Sequence, residues 1–264
     1  MNARNANGRR SYGWFGLWLS LAALAGFLIG ALPAQASTQV FDQAYPLQAG
    51  GVVALGNVNG GVQIEGWDRQ QVEVHAVKTA LHDGDDLNMV HIDVESDGNQ
   101  LAVNTRYPTG TGVQVTVEYL IRVPYRLRWV EVQTVNGDVH VRGITGAGSL
   151  NSVNGNVEVL DAEGRFSAKT TNGDVRLQMK SLPDGDPVSL TTVNGSVVLS
   201  LPERVNADVR VVNRNGDFKS DFPMETLGAY TSSRFSGRLG GGGGEIFMST
   251  VNGAIRLVNG RPVV

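Results

Sequence analysis

The chain has 264 residues, of which 41% are hydrophobic and 7% aromatic, and its formal net charge is −3 at pH 7. This length fits one large domain or two small ones, and the lack of a basic block after residue 36 argues against nucleic acid and anionic lipid as partners. The 34 glycines have no period of three, which excludes collagen, and the absence of cysteine excludes disulfide bonds and a lipid-attachment cysteine.

The first 36 residues predict a secretory signal. Three arginines among the first ten residues precede an apolar run, Trp14–Leu32, and the small residues of Ala34–Ala36 suit a signal peptidase. The alternative is an uncleaved membrane anchor, because the run is near the lower length limit of a membrane span. Residues 1–36 hold three of the 22 basic and none of the 25 acidic residues, so cleavage after Ala36 leaves a net charge of −6. We expect export to the periplasm or the cell surface of a bacterium.

Residues 37–130 predict short, half-buried β-strands joined by varied turns. Apolar and polar residues alternate in the segments GGVQIEGW, QQVEVHAVKT, NMVHIDVES, NQLAVNTRY and GVQVTVEYLIRVP. In the second segment the alternation places Val72, Val74 and Ala76 on one side. Ala80–Met89 predicts at most one short helical turn. We expect this N-terminal region to cap the open end of the repeats that follow.

The loop HDGDD carries residue types that bind Ca²⁺. Its members His82, Asp83, Asp85 and Asp86 place three carboxylates in a glycine-containing loop. The distal bidentate Glu of a helix-loop-helix site and the nonapeptide pattern of calcium-binding β-rolls do not accompany it. We therefore expect a solvated acidic turn, with a cation site as the alternative, and we expect no cofactor.

One eight-residue pattern recurs along the chain. It reads TVNGDVHV at Thr134–Val141, and its Asn-Gly step occurs at Asn59-Gly60, Asn136-Gly137, Asn154-Gly155, Asn172-Gly173, Asn194-Gly195, Asn215-Gly216 and Asn252-Gly253. From Asn136 onward the steps are 18, 18, 22, 21 and 37 residues apart. A period near twenty indicates stacked repeats, and the long gap indicates one degenerate or looped-out turn before a final regular copy. The predicted division is a signal (1–36), a capping β-region (37–130), a repeat region (131–258) and a C-terminal tail (259–264).

Two short strands flank each Asn-Gly step. Relative to the Asn, positions −4, −2, +3 and +5 are apolar or Thr/Ser, whereas +2 and +4 are mostly polar. The favoured interpretation is an all-β fold, a parallel β-solenoid in which each step is a corner and like residues stack on like. The alternative is an antiparallel β-sandwich of hairpins, because Asn-Gly is the strongest two-residue hairpin signal and both residues tolerate positive φ.

The sequence offers no catalytic motif. Neither G-x-S-x-G nor S-x-x-K with its partner motifs occurs, and GRLGGGGGE lacks the Lys-Ser/Thr ending of a phosphate-binding loop. Stacked coils would align the +2 residues in one outward row: Asp138, Asn156, Asp174, Ser196 and Asp217. Such a row could bring carboxylates to the separation found in glycosidases, but its variation is typical of a solvated turn position. We therefore expect no enzymatic activity.

Several longer stretches together resemble the DUF4097 family of adhesin-like proteins. They are YPLQAGGVVALGNVNGGVQIEGWDRQQVEVHAVKTA, IRVPYRLRWVEVQTVNGDVHV, the recurrent VNG steps and the closing GGGGEIFMSTVNGAIRL, and the likeness spans about Phe41–Leu257. The resemblance implies an exported bacterial β-strand repeat protein related to β-solenoid adhesin head domains. It also implies a link, for some members, with envelope stress signalling, and it brings no catalytic residues.

These observations predict a function at the cell envelope. We expect a non-enzymatic, adhesin-like interaction module that binds an envelope protein or a glycan, read by polar positions such as Asp138 and His140. The alternatives are an envelope-stress sensor, which an uncleaved signal segment would favour, and, less expected, a polysaccharide-cleaving enzyme. Membrane contact is expected only through that segment.

Overall fold

The computed structural model describes residues 36–80, 84–110, 112–228, 231 and 233–260. The expected signal segment lies outside this part of the chain except for Ala36, and so do His82 and Asp83 of the acidic loop. In the described ranges, no helix is long and apolar enough to cross a membrane.

The described chain forms twenty β-strands and one short 3₁₀ helix, Gly84–Asn88. In chain order the strands are β1 (Ser37–Pro46), β2 (Gly51–Gly56), β3 (Val62–Trp67), β4 (Gln71–Ala80), β5 (His91–Ser96), β6 (Gln100–Arg106), β7 (Val115–Pro124), β8 (Arg126–Gln133), β9 (Val139–Arg142), β10 (Thr145–Asn151), β11 (Val157–Lys169), β12 (Val175–Ser181), β13 (Val188–Thr191), β14 (Val197–Leu201), β15 (Ala207–Asn215), β16 (Phe218–Ser220), β17 (Glu225–Thr226), β18 (Arg234–Leu239), β19 (Gly244–Asn252) and β20 (Ile255–Asn259). The five N-terminal segments with alternating hydrophobicity are β3 to β7.

The strands line up in two walls, which we name by their position relative to the Asn-Gly steps. The upstream wall, mostly strands that precede a step, has the order β5–β6–β2–β8–β10–β11–β13–β19–β15–β18–β17. The downstream wall, mostly strands that follow a step, has the order β1–β4–β7–β3–β9–β11–β12–β14–β20–β16. β11 belongs to both walls, because it turns between them near Asp161, whose φ is +56°.

Pairing from coil to coil is parallel and in register. Val157, for example, pairs with Val139 on one side and Val175 on the other. The two strands that flank one Asn-Gly step lie in opposite walls and do not pair with each other. The all-β parallel solenoid is therefore confirmed, and the sandwich of Asn-Gly hairpins is wrong. Stacking favours the solenoid because every rung places identical side chains about 4.8 Å apart.

The core lies between the walls and consists of their inward rows. The +3 and +5 residues predicted to face inward are all buried: Val139, Val141, Val157, Val159, Val175, Leu177, Val197, Leu199, Ile255 and Leu257. Val72, Val74 and Ala76 are buried as well, as the alternation of their segment predicts. Full burial of one Val or Leu side chain contributes about 1.5–3 kcal/mol, so burial together with strand pairing stabilises a chain without disulfide bonds.

The order of coils in space departs from the order in the chain at both ends. The coil β2–β3 lies between β6–β7 and β8–β9, although it precedes both in sequence. The coil β19–β20, the last in the chain, lies between β13–β14 and β15–β16. Antiparallel strands then cover the outermost coils, with β4 and β1 on β7, β5 on β6, and β18 and β17 on β15. Covered ends limit edge-to-edge pairing between molecules.

Candidate functional site

The asparagines of the seven Asn-Gly steps form one continuous ladder of side-chain amides. Six hydrogen bonds of 2.8 to 2.9 Å join them, each from the Nδ2 of one Asn to the Oδ1 of the Asn before it in the spatial order Asn59, Asn136, Asn154, Asn172, Asn194, Asn252 and Asn215. The Asn residues do not use the positive φ that belongs to the hairpin alternative, because Asp161 is the one described non-glycine residue with positive φ. The amides therefore contribute to the stacking of the coils.

The glycines of the steps are required by the close approach of neighbouring coils. A Cβ placed on Gly155 would fall inside contact distance of the carbonyl oxygen of Gly137, and one on Gly173 would do the same at Gly155. The same holds along the column for Gly137, Gly195, Gly216 and Gly253. Only a residue without a side chain lets the backbones stack at this spacing.

Hydroxyl groups two residues before most of the ladder asparagines satisfy the carbonyl oxygens of the glycine column. Thr170 Oγ1 donates to Gly155 O at 2.8 Å, and Ser152 Oγ donates to Gly137 O at 2.9 Å. Thr192 and Thr250 repeat this bond one and two coils further on. The inward Thr and Ser are therefore structural, since a buried carbonyl without a partner would be destabilising.

The acidic row at position +2 caps backbone amides. Asp138 Oδ1 accepts from the amide nitrogen of Asn156 at 2.7 Å, and Asp174 Oδ1 accepts from that of Ser196 at 2.7 Å. Asn156 Oδ1 continues the chain by accepting from the amide of Asp174 at 2.9 Å. Hydrogen bonds to a carboxylate are stronger than those between neutral groups, so this row contributes to coil stacking. Its geometry gives the carboxylates of Asp138 and Asp174 a structural task.

A buried lysine holds the segment that follows the acidic loop. Asp85 and Asp86 lie in the first turn of the 3₁₀ helix. Lys78 Nζ donates to the carbonyl oxygens of Leu87 and Val90, each at 2.9 Å, and burial lowers the pKa of Lys78. Among the residues that the structure describes, no group of three or more His, Asp or Glu is arranged to hold a metal ion. The inward alternation of β4 was the sequence signal for Lys78.

Two tyrosines close the N-terminal end of the solenoid. The hydroxyls of Tyr119 and Thr105 are 2.7 Å apart, and Tyr107 donates to the carbonyl oxygen of Asn59 at 3.3 Å. Burial raises the pKa of each tyrosine to about 12. Their hydroxyls are engaged in the end coils, so they do not form an exposed aromatic platform for a sugar.

One continuous row of side chains crosses the outer face of the downstream wall, and we call it the outer row. Strand register places one member on each strand: Asp42, His75, Leu120, Gln63, His140, Glu158, Arg176, Val198, Arg256 and Lys219. Ten strands about 4.8 Å apart make the row roughly 43 Å long. Its members come from distant parts of the sequence, which is why sequence reasoning found His140 but missed Asp42 and His75.

The N-terminal half of the outer row lies in a concave region, which we call the trough. Two adjoining grooves of about 630 and 480 Å³ share His75 and Leu120. His75 Nδ1 lies 2.6 Å from Asp42 Oδ1, and at the far side His140 Nδ1 lies 3.3 Å from Glu158 Oε2. Further carboxylates line the grooves, from Glu73, Glu118 and Asp138. The structure thus brings the predicted pair Asp138 and His140 into an acidic trough with residues that the sequence did not indicate.

The C-terminal half of the outer row is basic. Arg176 forms an ion pair with Glu158, with 3.1 Å between Nη1 and Oε1, at the junction of the two halves. Arg256 and Lys219 are exposed and form no ion pair with any residue that the structure describes. The outer row therefore carries opposite charges at its two ends.

Comparisons with known proteins identify a family and several similar solved structures. The family model described as Toastrack DUF4097 matches residues 53–257. Among solved structures, the chain is similar to a candidate cell adhesion protein from Clostridium sporogenes, at 10% identity and a TM-score of 0.46, over 86% of this chain and 100% of that one. It is also similar to a candidate adhesin from Bacteroides fragilis, at 11% identity and a TM-score of 0.32, over 84% of this chain and 97% of that one. Among curated proteins, none matches.

Proposed function

This chain belongs to the Toastrack DUF4097 family, and we propose that it is a non-enzymatic, adhesin-like binding module of the bacterial cell envelope whose recognition site is the trough. The trough is the observation that carries the proposal. Its volume lies within the range of ligand sites, and carboxylates and imidazoles converge on it from four strands that are far apart in the sequence. Convergence of polar groups in a concavity is what distinguishes a binding site from a solvated wall.

The repeated letters support the same proposal by elimination. The Asn, Gly and Thr/Ser columns are engaged in bonds or contacts between coils. A ligand that bound those side chains would compete with the bonds that stack the coils. The exposed outer row carries no such requirement, so its side chains are available for recognition.

Retention on envelope material tests the proposal. Exported protein is purified, immobilised and exposed to labelled envelope fragments of the producing bacterium. We expect His75→Ala combined with Glu73→Gln to lower the bound fraction roughly tenfold, because both changes remove polar groups from the trough. Lys169→Gln, an exposed change on the upstream wall, is the matched control and should bind like the wild type. Equal retention of all three proteins would overturn the trough as the recognition site.

The non-enzymatic part of the proposal has its own test. The purified protein is incubated with a panel of bacterial polysaccharides, and new reducing ends are measured. We expect none, because the +2 carboxylates cap backbone amides. Cleavage that disappears in Asp138→Asn or Asp174→Asn would show that the row is catalytic and would contradict the proposal.

A further inference from the structure

We propose that the trough is filled by a second copy of this chain, docked antiparallel on the outer face of the downstream wall; this inference rests on the proposed function of the trough. In such a pair the basic end of each outer row enters the acidic trough of the other copy. The two contacts are equivalent, so the pair closes as a two-fold dimer and cannot grow into a filament.

Charge on the outer face carries the inference. The trough holds the carboxylates of Asp42, Glu73, Glu118 and Asp138. Arg122 lies 3.6 Å from both Glu65 and Glu73, Arg69 lies 3.7 Å from Glu73, and Arg142 lies 3.1 Å from Asp161. Glu73 is therefore paired with arginine, whereas Asp42, Glu118 and Asp138 have no arginine or lysine partner among the described residues. The trough is therefore acidic after internal ion pairs are counted.

The opposite end supplies what the trough would bind. Arg256 and Lys219 are neighbours in the outer row, on strands whose register pairs them directly. Both are exposed, and neither has an ion-pair partner in the described part of the chain. Long, exposed cationic side chains complement the charge of an acidic concavity. Asp217 and Asp221 lie two residues before and two residues after Lys219, and neither is a member of the row.

The size of the face sets the strength of the pair. A row roughly 43 Å long on strands roughly 13 Å wide gives an area of about 560 Å² per copy, or about 1,100 Å² in total. This lies just below the standard range for stable complexes, which predicts a weak, charge-steered dimer. We expect its dissociation constant to rise at least roughly tenfold between about 50 and about 500 mM NaCl, because salt screens exposed charges.

A charge-swap experiment tests the inference by sedimentation of the exported protein at low salt. The first variant, Lys219→Glu with Arg256→Glu, makes both ends acidic, and the second, Asp42→Lys with Glu73→Lys, makes both ends basic. We expect the wild type to be dimeric, each variant alone to be monomeric, and an equal mixture of the two to form a mixed dimer. Matching circular dichroism spectra establish that both variants are folded.

The outcomes separate this inference from the proposed function. A wild type that stays monomeric at about millimolar concentration and low salt would overturn the second copy as the occupant. So would variants that dimerise alone, or a mixture that stays monomeric. Envelope retention that depends on His75 and Glu73 in a monomeric protein would leave the trough as a binding site for a different partner. A dimer whose envelope retention is unaffected by the trough variant would contradict the proposed function but keep the inference.

Discussion

Replacing Gly155 with alanine should destabilise the solenoid far more than an alanine at an ordinary loop glycine. An added Cβ would lie 2.1 Å from Gly137 O, whereas ordinary contact begins at about 3.4 Å, so the two corners must separate by more than 1 Å. Two hydrogen bonds span this gap at the corner: Gly137 N to Asn154 O at 3.0 Å, and Ser152 Oγ to Gly137 O at 2.9 Å. The substitution would also strain the hydrogen bond from Asn154 Nδ2 to Asn136 Oδ1, which is 2.9 Å long.

The magnitude follows from these contacts. Loss of two or three hydrogen bonds costs about 1 kcal/mol each, and the remaining backbone strain adds about 1–2 kcal/mol. We expect Gly155→Ala to lower the free energy of unfolding by about 3–5 kcal/mol. The measurement is urea unfolding followed by circular dichroism at constant pH.

Two control variants separate the clash from backbone conformation. Gly112→Ala has open space and no positive φ, and it should change stability by less than about 0.5 kcal/mol. Gly185 has a φ of +88° and open space around it, so Gly185→Ala measures the cost of positive φ alone. We expect it to lower the free energy of unfolding by about 1 kcal/mol. Equal stability of Gly155→Ala and Gly185→Ala would refute the argument that coil contact requires glycine.

Three further predictions concern the ladder, the tyrosines and the buried lysine. Asn154→Ala removes a rung that both donates and accepts, whereas Asn215→Ala removes one that only donates, so urea unfolding should show losses of about 2 and about 1 kcal/mol; equal losses would contradict a continuous ladder. Because the pKa of Tyr119 is about 12 when folded and about 10 when unfolded, its contribution to stability is intact below pH 10 and is lost as pH rises to 12, at about 1.4 kcal/mol per pH unit. The pKa of Tyr107 is raised in the same direction, but partial exposure to solvent makes its contribution smaller. Tyr119→Phe should therefore make the fall of Tm with pH less steep, and an unchanged slope would count against the burial argument. Lys78→Met leaves the carbonyls of Leu87 and Val90 without their donor and should cost about 2–4 kcal/mol, with faster hydrogen exchange confined at first to residues 84–90; unchanged exchange there would contradict the anchoring role.

Local features of the fold could be predicted from the sequence because each depends on neighbours in the chain. Alternation correctly placed Val139 and Val157 inward, and the identity of the repeats correctly indicated stacking. Asn-Gly is also the signal of two-residue hairpins, so the step alone left the solenoid and the sandwich of hairpins both open. In the solenoid the Asn backbone keeps negative φ while its side chain joins a ladder, and only the glycine departs from it.

The order of coils could not be predicted, because the repeat itself conceals it. TVNG at Thr192 and TVNG at Thr250 present the same side chains, so either coil stacks equally well on either neighbour. The placement of β19–β20 inside the stack depends on the long segment that contains β17 and β18, and the repeat pattern is absent from that segment. The trough could not be predicted because its residues are distant in the chain. His75 lies beside Asp42 only because β1 pairs with β4, and the two residues are 33 positions apart.

The stacking order is the claim on which the outer row and both of its charged ends depend, and engineered disulfides test it most directly. The chain has no cysteine, so any bridge reports the introduced pair alone. Register places Ser189 beside Phe247 and Phe247 beside Arg210, while Ser189 and Arg210 lie two strands, or about 9.6 Å, apart. Oxidation followed by peptide mapping should find a bridge in Ser189→Cys with Phe247→Cys and none in Ser189→Cys with Arg210→Cys, because a disulfide spans less than about 7 Å between Cα atoms. A bridge in the second pair but not in the first would mean that the coils stack in chain order, and it would contradict the account.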